Sequence, residues 1–182
     1  MSRISQRYDK LSSAFGALVT AVPDDHWDAP TPCEDWTVLD LVQHIVDSHR
    51  VFLGFIGREL PEGPPVDDRP AEAFTIARRT VLDRLEDPLT AAQTYEGRLG
   101  TRTFEWAVDN FLSFDLVVHG WDLARATGQD ETIVPEELTR ARADAEEWGE
   151  MARAPGVFGP PLDPPDGADE QTRLLAFLGR RA

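Results

Sequence analysis

Cysteine is almost absent: Cys33 stands alone in 182 residues. That excludes an internal disulfide and any multi-cysteine zinc site, so a bound metal has to be held by histidine and carboxylate. Long apolar runs are missing as well, and no window reaches the roughly 18 uninterrupted apolar residues of a membrane span. The start, MSRISQRYDKLSSAF, has neither the apolar run nor the small-residue cleavage site of a secretory signal, so a cytoplasmic location is expected. Positive charge is scarce, with 18 Lys plus Arg against 33 Asp plus Glu and a net charge of −15. Such a field repels phosphate backbones and anionic lipid, which argues against nucleic acid and membrane partners, although a specific homodimer stays compatible with it. Internal repeats and low-complexity blocks are not found, and strand-like alternation is rare.

What is present is a soluble composition, 41% hydrophobic and 28% charged, in a length suited to one compact domain at about 150 residues per domain. Helical periodicity dominates. Ile4, Tyr8, Leu11, Phe15, Leu18 and Val22 line one face of a first helix that must stop before Pro23. Residues 23–36 read as loop. Thr37 is placed as an N-cap, with Asp40 three residues on and Trp36 and Leu41 at the staple positions, so a second helix starts at Val38. It should fray near Pro61, Gly63, Pro64 and Pro65. Pro70 opens a third helix that Asp87-Pro88 stops, and residues 89–102 read as loop or a short extended piece. The most apolar helix runs from Thr103 to Thr127, closed by Gly128. A fifth starts at Pro135, and a short amphipathic helix carrying Leu174, Leu175, Phe177 and Leu178 follows a Pro-rich stretch. The expected fold is all-α: a bundle over residues 1–152, with a Pro-rich tail and short C-terminal helix over 153–182 packing on it.

The Thr103–Thr127 helix carries polar residues on its apolar face. At roughly 100° per residue, Phe104, Val108, Phe111, Leu112, Leu123 and Ala126 form one stripe, with Asp115 and His119 at its centre. Four apart, the two side chains are neighbours directed at the bundle interior. An ionised carboxylate there needs a cation, a hydrogen-bond network or a metal. An Asp–His hydrogen-bonded pair satisfies both groups; alternatively, a histidine from another helix completes a two-His, one-carboxylate metal site, with Asp122 orienting His119 from behind. For that third ligand, His26 sits in a polar loop and reads as solvated or capping. His44 and His49 share the second helix but lie roughly 140° apart around it. The wheel does not choose between them: His44 lies on the flank of the apolar stripe and His49 nearer its centre.

Two segments carry a resemblance. Pro30-Thr31-Pro32-Cys33-Glu34-Asp35-Trp36-Thr37-Val38, continuing to Asp40, Leu41 and His44, and Phe114 through Gly128, resemble the actinobacterial mycothiol-dependent maleylpyruvate isomerase-like proteins of the DinB/YfiT helical superfamily. The tail around Arg153, Pro155, Gly156 and Phe158-Gly159-Pro160, ending in Arg173 to Gly179, is similar to members of that group. The resemblance implies a DinB-like four-helix bundle with a divalent metal, zinc first, with nickel or iron as alternatives, held by His44, Asp115 and His119. It thereby selects His44 over His49. The characterised isomerase has Glu where this chain has the shorter Asp115, and it carries a second, C-terminal domain for which 182 residues are not expected to suffice.

The implied chemistry is thiol chemistry, because a metal beside a low-molecular-weight thiol favours the nucleophilic thiolate. The expected activity is therefore mycothiol S-transfer to a small electrophile, or thiol-assisted isomerisation of one, with mycothiol as cosubstrate. The alternatives are a non-catalytic, stress-associated bundle that binds a metal or small ligand, and a metal-dependent hydrolase. Cys33, four residues before the Thr37 cap and near the positive end of a helix, reads either as a nucleophile or as a packed residue. Arg125 and Arg153 are candidates for binding a carboxylate, or simply exposed arginines. Phe158 and the tail either cover the bundle mouth or tether the last helix, and Trp106 and Trp121 read as packing.

Overall fold

The computed structural model describes residues 1–97, 99–149 and 158–182. Its helices are α1 (Arg3–Thr20), α2 (Val38–Phe55), α3 (Pro70–Glu86), α4 (Pro88–Ala91), α5 (Phe104–Ala107), α6 (Ser113–Thr127), α7 (Pro135–Trp148) and α8 (Glu170–Phe177). A two-stranded antiparallel hairpin, β1 (Thr94–Gly97) and β2 (Gly100–Thr103), occupies part of the stretch read as loop or extended chain. The all-α class holds, with the hairpin as its one small sheet among the described residues.

Local chemistry accounts for the boundaries. The Thr37 side chain accepts from Asp40 N while Asp40 accepts from the Thr37 N–H, a reciprocal capping box that starts α2 where the sequence indicates. Pro70 and Pro135 occupy first-turn positions, where a missing N–H costs nothing. α1 packs against α3 and α6, and α2 packs against the same two helices, so the four close into a ring around one core. Tyr8, Phe15, Leu41, Ile45, Leu53, Phe74, Phe104 and Leu112 fill that core. A second cluster, with Phe114, Val118, Trp121, Ala145, Leu174 and Leu175, attaches α7 and α8 to the outer face of α6. The expected 152/153 boundary lies outside the described residues.

One expected element is different in form. The helix read as continuous over 103–127 begins at Phe104, capped by the Thr103 hydroxyl, and passes through a π-helical turn at Val108–Leu112 before resuming as α6. A π turn carries an extra residue, so every side chain beyond it is rotated relative to a regular wheel. This is why Asp115 and His119 do not lie at the buried centre of the stripe. Their side chains remain 29% and 11% exposed, at the edge of a cavity.

Candidate functional site

The site begins in the loop before α2. An antiparallel bridge pairs Pro30 with Thr37, and the Thr31 hydroxyl bonds to Cys33 and Trp36 backbone groups. Trp36 N donates to Cys33 O across a tight turn, with Asp35 in the left-handed region at φ 64°. Aspartate tolerates that conformation better than most residues. The turn presents Cys33 and Trp36 together toward the first turns of α2 and the middle of α6.

His44 and His49 have separate fates. His44 projects beside Trp36, ring centroids 4.7 Å apart, and its Nε2 lies 3.8 Å from Asp115 Oδ2. His49 is fully buried: Nδ1 donates to Ile45 O at 2.6 Å, and Tyr8 O–H therefore donates to Nε2 at 2.8 Å. Burial lowers its pKa to about 4, only partly opposed by the hydrogen bond to Ile45. It is a neutral core residue with both nitrogens occupied, outside the cavity lining that His44 joins.

On α6, the i, i+3 spacing lets His119 Nδ1 donate to Asp122 Oδ2 at 3.0 Å, which leaves Nε2 as the nitrogen with a lone pair. The orienting role read for Asp122 is thus the observed geometry. Asp122 itself is fully buried and is neutralised by Arg180, which sequence reasoning missed. Arg180 Nε donates to Oδ1 at 2.9 Å and Nη2 to Oδ2 at 2.9 Å, while Nη1 donates to Leu178 O. Burial alone would raise the Asp122 pKa, but the hydrogen bond from His119 and the charge of Arg180 hold it at about 2. A signal was present in the sequence. Gly179 at φ 81° ends α8 in a Schellman turn, with Gly179 N bonded to Ala176 O and Arg180 N to Leu175 O, and that reversal sends Arg180 back into the bundle.

Cys33 lies against the same carboxylate, its S–H directed to Asp122 Oδ2 at 3.3 Å and its Sγ 3.7 Å from His119 Nδ1. Burial and then the Asp122 charge push the thiol up to about 12 despite Arg180. Burial and the neighbouring carboxylate outweigh the pull of the helix terminus toward a thiolate. Cys33, His119 and Asp122 form a group whose ligand-type atoms lie within 4.8 Å of one another, which makes it a possible metal-holding cluster.

His44, Asp115, His119, Cys33 and Trp36 all border a single cavity of about 1140 Å³. The hairpin contributes Tyr95, Leu99 and Arg102, and the tail contributes Phe158, Pro160, Leu162, Gly179, Arg180 and Arg181. Phe158 lies on Trp148 at 12° and packs on Phe114 while lining the cavity, which tethers the tail there. Arg125 is outside the cavity lining, paired with Glu131 and packed over Trp121. His26 is remote, hydrogen-bonded to exposed Asp25. Arg153, Pro155 and Gly156 lie outside the described residues.

Fold and site together define a class: a ring of four helices whose internal cavity is edged by two histidines and a carboxylate from α2 and α6. The chain belongs to the family of the mycothiol maleylpyruvate isomerase N-terminal domain, whose description matches residues 8–124. It is similar to an uncharacterized protein of Mycobacterium tuberculosis strain H37Rv, 30% identical over 178 residues covering 95% of each chain. The counterpart in strain CDC 1551 / Oshkosh gives the same figures. No solved structure matches. Among the described residues no helix is long and apolar enough to cross a membrane.

Proposed function

We propose that the protein is a metal-dependent thiol enzyme: His44, Asp115 and His119 hold a divalent ion, zinc first, with nickel or iron as alternatives. The cavity then receives mycothiol and a small electrophile, for S-transfer or thiol-assisted isomerisation. The observation that carries this reading is the convergence of His44, Asp115 and His119 on one cavity, with His119 already oriented by Asp122 through Nδ1. Nitrogen and carboxylate donors backed by such a carboxylate–histidine contact suit these metals. When bound there, a divalent ion favours the thiolate form of a nearby thiol and polarises a carbonyl.

The chain's own residues supply the rest. Trp36 packs on both imidazoles, at 4.7 and 5.8 Å, and limits their rotation. Arg180 holds Asp122, and Asp122 holds His119. Cys33 stays a thiol, so the reacting sulfur arrives with the cosubstrate. In transfer, the S–H bond breaks, an S–C bond forms at the electrophile, and the leaving group departs with the bonding pair while the proton goes to solvent. In isomerisation, the sulfur adds to a conjugated double bond, the resulting single bond rotates, and the S–C bond breaks again, regenerating the thiol. Asp122 and His49 are both committed to hydrogen bonds and do not serve as general bases.

The Cys33–His119–Asp122 group favours a second metal arrangement, but a metal there requires a deprotonated thiol and displacement of Arg180. Metal analysis separates the two. The wild type and Cys33→Ser should carry metal, whereas His44→Ala and Asp115→Asn should lose it. Equal metal content in wild type and His44→Ala would overturn the His44 set. Metal-loaded protein should conjugate a bimane electrophile to mycothiol, and the absence of thiol-dependent turnover would remove the transferase reading and favour a non-catalytic binding bundle.

A further inference from the structure

Around the cavity, the polar edge formed by His44, Asp115 and His119 is only part of the lining. Phe55 and Tyr95 stack at 4.5 Å and 14°, and Trp148 lies between Phe111 at 5.1 Å and Phe158 at 6.1 Å. All five rings line the cavity, as does Leu99 from the hairpin. Phe55 and Leu99 are among the few large apolar side chains left exposed, at 38% and 37%. Apolar surface kept open inside a concave site is what an apolar ligand would cover.

The charges point the same way. Arg180 is spent on Asp122, and Asp115 belongs to the proposed metal group. The described lining also carries Arg102 and Arg181 alongside Glu34 and Glu96. The chain's net charge of −15 disfavours anions as a whole. A doubly charged small acid would enter against that field. It would also offer the rings no apolar face to cover.

Resting on the thiol reading for its chemistry, but not for its binding, we infer that the electrophile this site accepts is an uncharged, flat aromatic molecule seated against Phe55, Tyr95, Trp148 and Phe158, rather than a small dianionic acid.

Equilibrium binding to the purified full chain tests this, without thiol and both with and without zinc, using 2-acetylnaphthalene as the uncharged aromatic probe and maleate as the dianion. The naphthalene should bind more tightly than maleate in both conditions. Tyr95→Ala and Phe158→Ala should each weaken it about tenfold, the loss expected when one ring contact and its buried area are removed. Leu99→Glu, on an already exposed side chain, should weaken it as well without unfolding the protein, so the test survives if a ring variant fails to fold. Maleate binding as tightly as the naphthalene in either condition, or naphthalene affinity unchanged in Leu99→Glu and the folded ring variants, overturns the inference. Failure of thiol turnover with naphthalene binding intact would count against the enzyme reading alone.

Discussion

His49 and Asp122 are both buried and titratable, and acid acts on them in the same direction for different reasons. His49 is held neutral by burial, its pKa lowered from 6.5 to about 4. The unfolded chain takes up that proton below pH 6.5 and the folded chain only near 4, so the stabilisation is complete above 6.5 and is lost as pH falls through that window. At about 1.4 kcal/mol per unit, the loss comes to about 3 kcal/mol. Urea unfolding of wild type should show this slope between pH 6.5 and 4, and His49→Gln should lack it. An equal slope in both would show that His49 is not the group responsible. Asp122 is depressed from 3.8 to about 2, and its contribution, about 2 kcal/mol, is lost only at lower pH, between those values.

Arg180 is 7% exposed and faces a carboxylate with no exposure, so Arg180→Ala strands a buried charge. Breaking such a pair from one side costs about 3–5 kcal/mol. Because Asp122 also fixes His119, zinc affinity at the proposed His44–Asp115–His119 site should fall about 10-fold or more, the usual effect of disturbing a ligand's supporting partner. Chelator competition checks this. Lowered stability with zinc affinity unchanged would confine Arg180 to a structural role.

At the level of elements, two glycines with similar positive φ separate backbone conformation from crowding. Gly128 closes α6 at φ 69° with open space where a Cβ would go, so Gly128→Ala should cost about 1–2 kcal/mol from the left-handed conformation alone. Gly179 has φ 81°, and a Cβ there would lie 3.0 Å from backbone atoms of Gly159 and Pro160. Gly179→Ala should therefore lower the thermal midpoint further than Gly128→Ala, and it alone should weaken zinc binding, because it displaces Arg180. Equal effects would mean that the α8 turn does not set the site. A capping residue, prolines and Gly128 made the helix ends at Thr37, Pro70, Pro135 and Gly128 legible from sequence, whereas the turn at Gly179 was not read. The π turn at Val108–Leu112 was not legible, because the apolar residues on either side still fit a regular helix within a wheel's tolerance, while the slipped hydrogen bonds leave no residue signature.

For the whole molecule, the cavity is shared by segments distant along the chain: the 30–37 loop, α2, the hairpin, the π turn with α6, the end of α7, and the tail. The sequence by itself determined the helical class, the helix ends at Thr37, Pro70, Pro135 and Gly128, the i, i+3 contact of His119 with Asp122, and the resemblance that selected His44. These follow from periodicity, local capping and short-range spacing. Only the tertiary structure decided that His49 is a core residue, that Cys33 is held as a thiol, that Arg180 closes the site from behind, and that aromatic rings from separate segments line the cavity. The first three depend on side chains that meet across more than 40 residues of chain, and the last on separate segments converging on one cavity, so burial and charge pairing act through that meeting rather than through neighbours in sequence.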